Sequence, residues 1–130
     1  MQVVKRYFEA FNEGDLDGML DCLTEDVQHH VNEGQVRAGK VLFAEFCVHM
    51  ARCYRENLTE MIIFSDPEGT RAAAEYVVNG TYLVTDEDLP EATGQTYCLP
   101  AGSFFDIRAG RISRVTTYYN LAEWMAQVGA

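Results

Sequence analysis

The chain has 130 residues, of which 48% are hydrophobic, and its formal net charge is −10 at pH 7. This apolar content suffices for one globular domain over residues 1–130, but not for two. The ten scattered basic residues form no Lys/Arg stripe, so nucleic acid and anionic membranes are disfavoured as partners. No apolar run approaches the roughly 20 residues of a membrane span, and no basic-then-apolar segment opens the chain, so we expect a cytoplasmic protein.

Two helices are predicted at the start of the chain. Apolar residues recur at helical spacing in the first helix: Val4, Tyr7, Phe8 and Phe11. The turn residues Asn12-Glu13-Gly14 end that helix, and Asp15 caps the second one with its side-chain oxygen. The buried stripe of the second helix is predicted to contain Leu16, Met19, Leu20 and Leu23.

The rest of the chain is predicted to form strands around a third helix. A short strand at 27–31 and a turn at 32–35 precede this helix at 39–54, whose predicted apolar face is Val41, Leu42, Phe46, Met50, Cys53 and Tyr54. Strands follow at 58–65, from Thr70 onward, at 95–107 and at 112–119, with an acidic loop at 86–94 and a C-terminal helix. Helices followed by consecutive antiparallel strands indicate an α+β fold.

The first helix, the Asn-x-Gly-Asp-Leu-Asp-Gly turn at 12–18 and the second helix resemble the N-terminus of the ketosteroid isomerases. They also resemble the wider nuclear-transport-factor-2-like (NTF2-like) superfamily, which includes the SnoaL-like polyketide cyclases. The resemblance implies a cystatin-like cone, in which the N-terminal helices pack in the concave face of a curved antiparallel sheet and enclose a small-molecule pocket. It also implies a homodimer formed through the outer face of the sheet.

The residues at the isomerase positions differ from those of the family. The resemblance places the family's pocket tyrosine on Tyr7, but it places the aspartate base on Val31 and the second aspartic acid on Gly102. A further pocket tyrosine falls on Cys47. We therefore do not expect authentic steroid isomerase activity.

His29 is the candidate replacement for the missing base. Strand parity places Val27, His29 and Val31 on one face, which the resemblance makes the inward face. A histidine can take and return a proton near neutral pH, and Tyr7 would donate a hydrogen bond to a ligand oxygen. The alternative role of His29 is a core imidazole bonded to a backbone carbonyl or to Tyr7. His30 points the other way, and Glu75 becomes a rival base only if its strand is shifted by one residue.

Other residues are predicted to bind substrate, namely Val31, Asn32, Phe46, Met50, Tyr76, Phe104 and Tyr119. Asn32 either orients a ligand or caps the turn. The resemblance turns Cys98, Gly102 and Phe104 inward on one late strand, and Val115, Thr117 and Tyr119 inward on the next. Glu75, Asn79, Tyr97 and Asp106 are expected on the outer face.

The sequence requires neither a metal nor a cofactor. Its four cysteines have no CxxC spacing and lie in apolar stretches, which favours buried free thiols: Cys22, Cys47, Cys53 and Cys98. No Cys or His pair has zinc-finger spacing, and no Gly-rich phosphate loop is present.

Three functions remain open from the sequence. The first is cofactor-free acid–base chemistry on a small, mostly apolar molecule, of the isomerase, dehydratase, cyclase or epoxide-hydrolase type. The second is non-catalytic ligand binding or an accessory role, which the two absent aspartates support. The third is protein interaction through the acidic loop 86–94, the most distinctive surface feature of the sequence.

Overall fold

A computed structural model describes residues 2–129 and contains four helices and six strands within that range. In chain order they are α1 (Gln2–Glu13), α2 (Leu16–Asp21), β1 (Leu23–Val31), β2 (Arg37–Ala38), α3 (Lys40–Cys53), β3 (Tyr54–Ser65), β4 (Arg71–Tyr82), β5 (Thr96–Arg108), β6 (Arg111–Tyr119) and α4 (Leu121–Val128). The strands form one curved sheet in the order β2-β1-β6-β5-β4-β3. β1 pairs with β6 in parallel, and the other pairs are antiparallel.

The core lies between the helices and one face of the sheet. On β4 the predicted two-residue alternation is present, because Ala72, Ala74, Tyr76 and Val78 are buried while Glu75 is exposed. From α1, Phe8 packs against this face, with ring centroids 5.3 Å from Tyr76 and 5.7 Å from Phe105. Within residues 2–129, none of the helices has both the length and the apolar character needed to cross a membrane.

The first turn of α2 follows the predicted capping. Asp15 Oδ1 accepts a 2.9 Å hydrogen bond from the Gly18 amide, so the cap prediction is confirmed. Leu23 was assigned wrongly to the apolar stripe of this helix. α2 ends at Asp21, and Leu23 is the first, fully buried residue of β1. β1 therefore begins four residues earlier than the predicted strand.

The buried side of α3 differs from the predicted face. Val41 and Leu42 are 73% and 44% exposed, whereas Phe43 is 1% exposed. Phe43, Cys47, Met50 and Cys53 follow at intervals of four, three and three residues and form the stripe that faces the core. The helix has apolar residues on both sides, so their spacing alone does not identify the buried one. Tyr54 belongs to β3 rather than to this helix.

The predicted orientation of β5 was wrong. Cys98 and Phe104 are exposed, and Gly102 pairs with the outward-facing Glu75. The buried residues are the alternate ones: Tyr97, Leu99, Ala101, Ser103 and Phe105. The β5–β6 hairpin contains an irregularity between Asp106 and Ile107. A displacement of one residue at such a point moves every following side chain to the other face.

Candidate functional site

A cavity of about 800 Å³ lies between the helices and the inner face of the sheet. Seven of the nine predicted site residues line it: Tyr7, His29, Val31, Phe46, Met50, Tyr76 and Tyr119. The other two are Phe104 and Asn32. Phe104 is on the outer face of the sheet. Asn32 has a left-handed backbone, and its side-chain oxygen accepts a 2.8 Å hydrogen bond from the Tyr119 amide. Asn32 therefore connects the turn to β6, and it is not among the cavity-lining residues.

His29 lies in an aromatic part of the cavity wall. It is only 4% exposed, and its ring centroid is 4.6 Å from that of Phe43 and 4.8 Å from that of Phe46. Within residues 2–129, its Nδ1 atom is buried and has no hydrogen-bonding partner. Burial lowers the pKa of His29 to about 4, and the positive charges of Arg37 and His30 add to this effect. The imidazole is therefore neutral at neutral pH.

Tyr7 lies close to the same aromatic wall. Its ring contacts Phe43 at a centroid distance of 6.3 Å and Phe105 at 5.9 Å. Burial raises the pKa of Tyr7 well above its ordinary value, so its hydroxyl remains protonated. Phe43 therefore contacts both predicted catalytic residues, although the sequence prediction omitted it.

A chain of three hydroxyl groups crosses the sheet on the cavity side. The hydroxyls of Tyr76 and Ser103 are 2.8 Å apart, and those of Ser103 and Thr117 are also 2.8 Å apart. The three residues come from β4, β5 and β6, which are neighbours in the sheet. The sequence prediction missed Ser103 because it assigned the opposite face of β5 to the cavity. This chain gives the middle of the sheet a line of hydrogen-bonding groups on the cavity side.

Glu56 and Tyr97 form a second polar pair in the wall, and the sequence prediction missed both. Tyr97 donates a hydrogen bond to Oε2 of Glu56. Gly80 leaves room for this pair, because a Cβ atom at Gly80 would overlap the Tyr97 ring. Burial raises the pKa of Glu56, although the Tyr97 hydrogen bond acts in the opposite direction. The alternation of Tyr54, Glu56 and Leu58 was the sequence signal that could have identified Glu56 as inward-facing.

A third polar group lies where α3 meets the acidic loop. His49 Nε2 is 2.8 Å from Asp86 Oδ1, and Tyr54 donates a 2.7 Å hydrogen bond to Asp86 Oδ2. The ligand atoms of His49, Cys53 and Asp86 lie within 4.8 Å of one another, so these are the residues that could hold a metal ion. Sequence spacing did not indicate this group, because Asp86 comes from a loop distant in the chain.

The alternative bases proposed from the sequence do not line the cavity. Glu75 is exposed on the outer face, and His30 lies on the side of β1 opposite to His29. Cys22 and Cys53 are buried free thiols as expected, whereas Cys47 is only partly buried and Cys98 is exposed.

A family model for the SnoaL-like domain matches residues 4–115. The chain belongs to the SnoaL-like domain family. This confirms the resemblance seen in the N-terminal helices. A search of curated proteins finds no match to this SnoaL-like chain.

Solved structures agree with this family. A proposed polyketide cyclase from Silicibacter sp. TM1040 is 67% identical, covering 99% of this chain and 94% of its own, with a TM-score of 0.97. A second proposed polyketide cyclase, from Xanthomonas campestris pv. campestris, is 54% identical over 97% of this chain and 93% of its own, with a TM-score of 0.94. An NTF2-like protein from Burkholderia xenovorans LB400 is 17% identical over 98% of this chain and 93% of its own, with a TM-score of 0.78. The predicted α+β, NTF2-like fold is confirmed.

Proposed function

We propose that this SnoaL-like protein binds one small, mostly apolar organic molecule in the cavity and acts on it by cofactor-free acid–base chemistry. The observation that carries the proposal is the neutral imidazole of His29, which lines the cavity beside the rings of Phe43 and Phe46. The volume of about 800 Å³ lies within the range of small-molecule sites.

The proposed chemistry assigns one role to each predicted catalytic residue. The neutral imidazole of His29 can accept a proton from the ligand through its unprotonated ring nitrogen. Tyr7, which remains protonated, donates a hydrogen bond to a ligand oxygen. Isomerisation, dehydration, cyclisation and epoxide opening all use this combination. Cyclisation has additional support, because the relatives from Silicibacter and Xanthomonas are named as proposed polyketide cyclases.

Mass spectrometry of the untreated protein tests this proposal. We expect a small molecule in the native complex that is released on denaturation. An extract that contains a molecule converted by the wild type is then given to each variant. His30→Gln, the matched control, should form the product, and His29→Gln should retain the unconverted ligand. Equal conversion by His29→Gln would rule out His29 as the base. A cavity that retains no molecule from any extract would contradict the binding proposal itself.

The second candidate function is ligand binding without catalysis. It is favoured by the pKa of about 4 for His29, because so weak a base removes protons only from fairly acidic groups. It is also favoured by Val31, an apolar cavity residue that the resemblance aligns with the family's aspartate base. Recovery of the same unconverted molecule from the wild type and from His29→Gln would support this function over catalysis.

We also propose that the chain forms a single domain and pairs with a second copy through the outer face of the sheet. Four large apolar or aromatic side chains are exposed on that face: Ile62, Phe64, Phe104 and Tyr118. A contiguous apolar patch of this kind is typical of an interaction surface.

A further inference from the structure

The polar groups of the cavity are distributed over five of the six strands of the sheet. His29 is on β1 and Glu56 is on β3, and the strands β6, β5 and β4 lie between them. The Tyr76–Ser103–Thr117 hydroxyl chain occupies these three intermediate strands. A ligand in the cavity therefore faces an imidazole from β1 and a carboxyl group from β3, with three strands between them in the sheet.

Glu56 is a partly buried carboxyl group in the cavity wall. It lines the cavity, and within residues 2–129 no Lys, Arg or His side chain forms an ion pair with it. The pair it does form is with the neutral hydroxyl of Tyr97. A carboxylate that is buried without a cation is costly, so burial favours the protonated form and raises the pKa of Glu56.

We propose that Glu56, supported by Tyr97, binds and protonates a neutral oxygen of the ligand, such as a ketone or enol oxygen, on the β3 side of the cavity. This inference rests on the proposed function, because it requires the ligand to occupy the same cavity. Glu56 donates its carboxyl proton to the ligand oxygen while His29 takes one proton from the ligand. The Tyr97 hydroxyl stabilises the resulting carboxylate, and both groups return to their starting states by exchanging protons with water after product release.

Two matched probes can measure the oxygen-binding step without knowledge of the natural substrate. The first is 2-acetylnaphthalene, an apolar aromatic ketone, and the second is 2-isopropenylnaphthalene, which replaces the carbonyl oxygen with a methylene group. Calorimetry on the wild type should show about tenfold tighter binding of the ketone, the size expected for one hydrogen bond in a buried site. Glu56→Met should bind both probes equally. Glu68→Met, an exposed glutamate in the β3–β4 turn, should keep the preference.

The outcomes separate this inference from the proposed function. If the wild type binds both probes equally, or if Glu56→Met keeps the ketone preference, the role of Glu56 is wrong and the apolar cavity stands. If neither probe binds the wild type, the inference fails, and the extract experiment decides the binding proposal separately. If His29→Gln loses the ketone preference while Glu56→Met keeps it, the ketone oxygen binds at His29 rather than at Glu56, and the inference is overturned.

Glu56→Gln provides a second test if Glu56→Met does not fold. The amide is nearly isosteric with the acid, but it has no carboxyl proton. Infrared spectroscopy of the wild type should show a protonated carboxyl band that shifts when 2-acetylnaphthalene binds, and this band should be absent from Glu56→Gln. A wild-type spectrum with no ketone-dependent carboxyl band would overturn the inference.

Discussion

The hydroxyl of Tyr54 donates a 2.7 Å hydrogen bond to Oδ2 of Asp86, which joins the first residue of β3 to the acidic loop between β4 and β5. His49 Nε2 lies 2.8 Å from the other carboxylate oxygen. The Asp86 amide donates a 2.9 Å hydrogen bond to the Tyr82 hydroxyl. Both Tyr54 and Asp86 line the cavity, so this contact positions the loop at its edge.

The anchoring of this loop should weaken in acid. Burial raises the pKa of Asp86, but the hydrogen bonds from Tyr54 and His49 outweigh it and leave this pKa below its ordinary value of 3.8. Because the folded pKa is depressed, the stabilisation is complete above the unfolded pKa of about 4 and is lost as the pH falls through the folded value. Hydrogen exchange should show protection of residues 83–95 decreasing over that acidic range.

The control for this experiment is Asp86→Asn, which removes the charge and keeps the shape. The loop of this variant should be less protected at neutral pH, and its protection should not change on acidification. Equal protection in the variant and the wild type at neutral pH would show that the Asp86 contacts do not hold the loop.

The fold was predicted correctly where the two faces of one element differ in amino-acid composition. On β4, small or apolar residues alternate with Glu75 and Asn79, so the sequence itself distinguishes the two faces. On β5, both sets of alternate residues contain large apolar side chains, for example Phe104 and Phe105. The orientation of β5 depends instead on its pairing with β4 and on the irregularity near Ile107, which pattern alone does not reveal.

The candidate site was predictable only where its residues lie on regular, recognisable elements. Tyr7 was found from the family resemblance and His29 from strand parity together with that resemblance, and both line the cavity. Glu56 was missed because α3 passes directly into β3 without a Gly or Pro to mark the boundary. Asp86 reaches His49 through tertiary packing across 37 residues, a contact that no local pattern encodes.

His29 should make the protein less stable in mild acid. Its pKa is about 4 in the folded state and 6.5 in the reference state, so the unfolded chain binds more protons between these values. Stability is therefore complete above about pH 6.5 and falls as the pH drops towards about 4, by roughly 3 kcal/mol in total. Urea unfolding at several pH values should show this decline in the wild type and a smaller one in His29→Gln. If the unfolding free energy declines equally in both proteins, groups other than His29 cause the decline.

Gly80→Ala should disrupt the Glu56–Tyr97 pair without altering either residue. The added Cβ would overlap the Tyr97 ring, so the ring must move away from Glu56 at a cost of about 1–3 kcal/mol in unfolding free energy. The matched control is Gly102→Ala on the neighbouring strand, where the new Cβ would lie 3.5 Å from the Ala74 carbonyl, an ordinary contact. Denaturant unfolding should therefore separate the two variants, and equal stabilities would contradict the close approach at Gly80.

The outer face of the sheet provides the last prediction, which concerns the proposed homodimer. Phe104 and Tyr118 pack edge to face on neighbouring strands, with ring centroids 5.9 Å apart, and are 43% and 50% exposed. Phe104→Lys places a charge in this patch, and an unpaired charge is strongly unfavourable in a buried interface. Light scattering should show a dimer for the wild type and a monomer for Phe104→Lys.

Val41→Lys, at an exposed position of α3 away from this face, should remain dimeric. A dimeric Phe104→Lys would show that the copies pair through another surface, and a monomeric wild type would exclude the dimer.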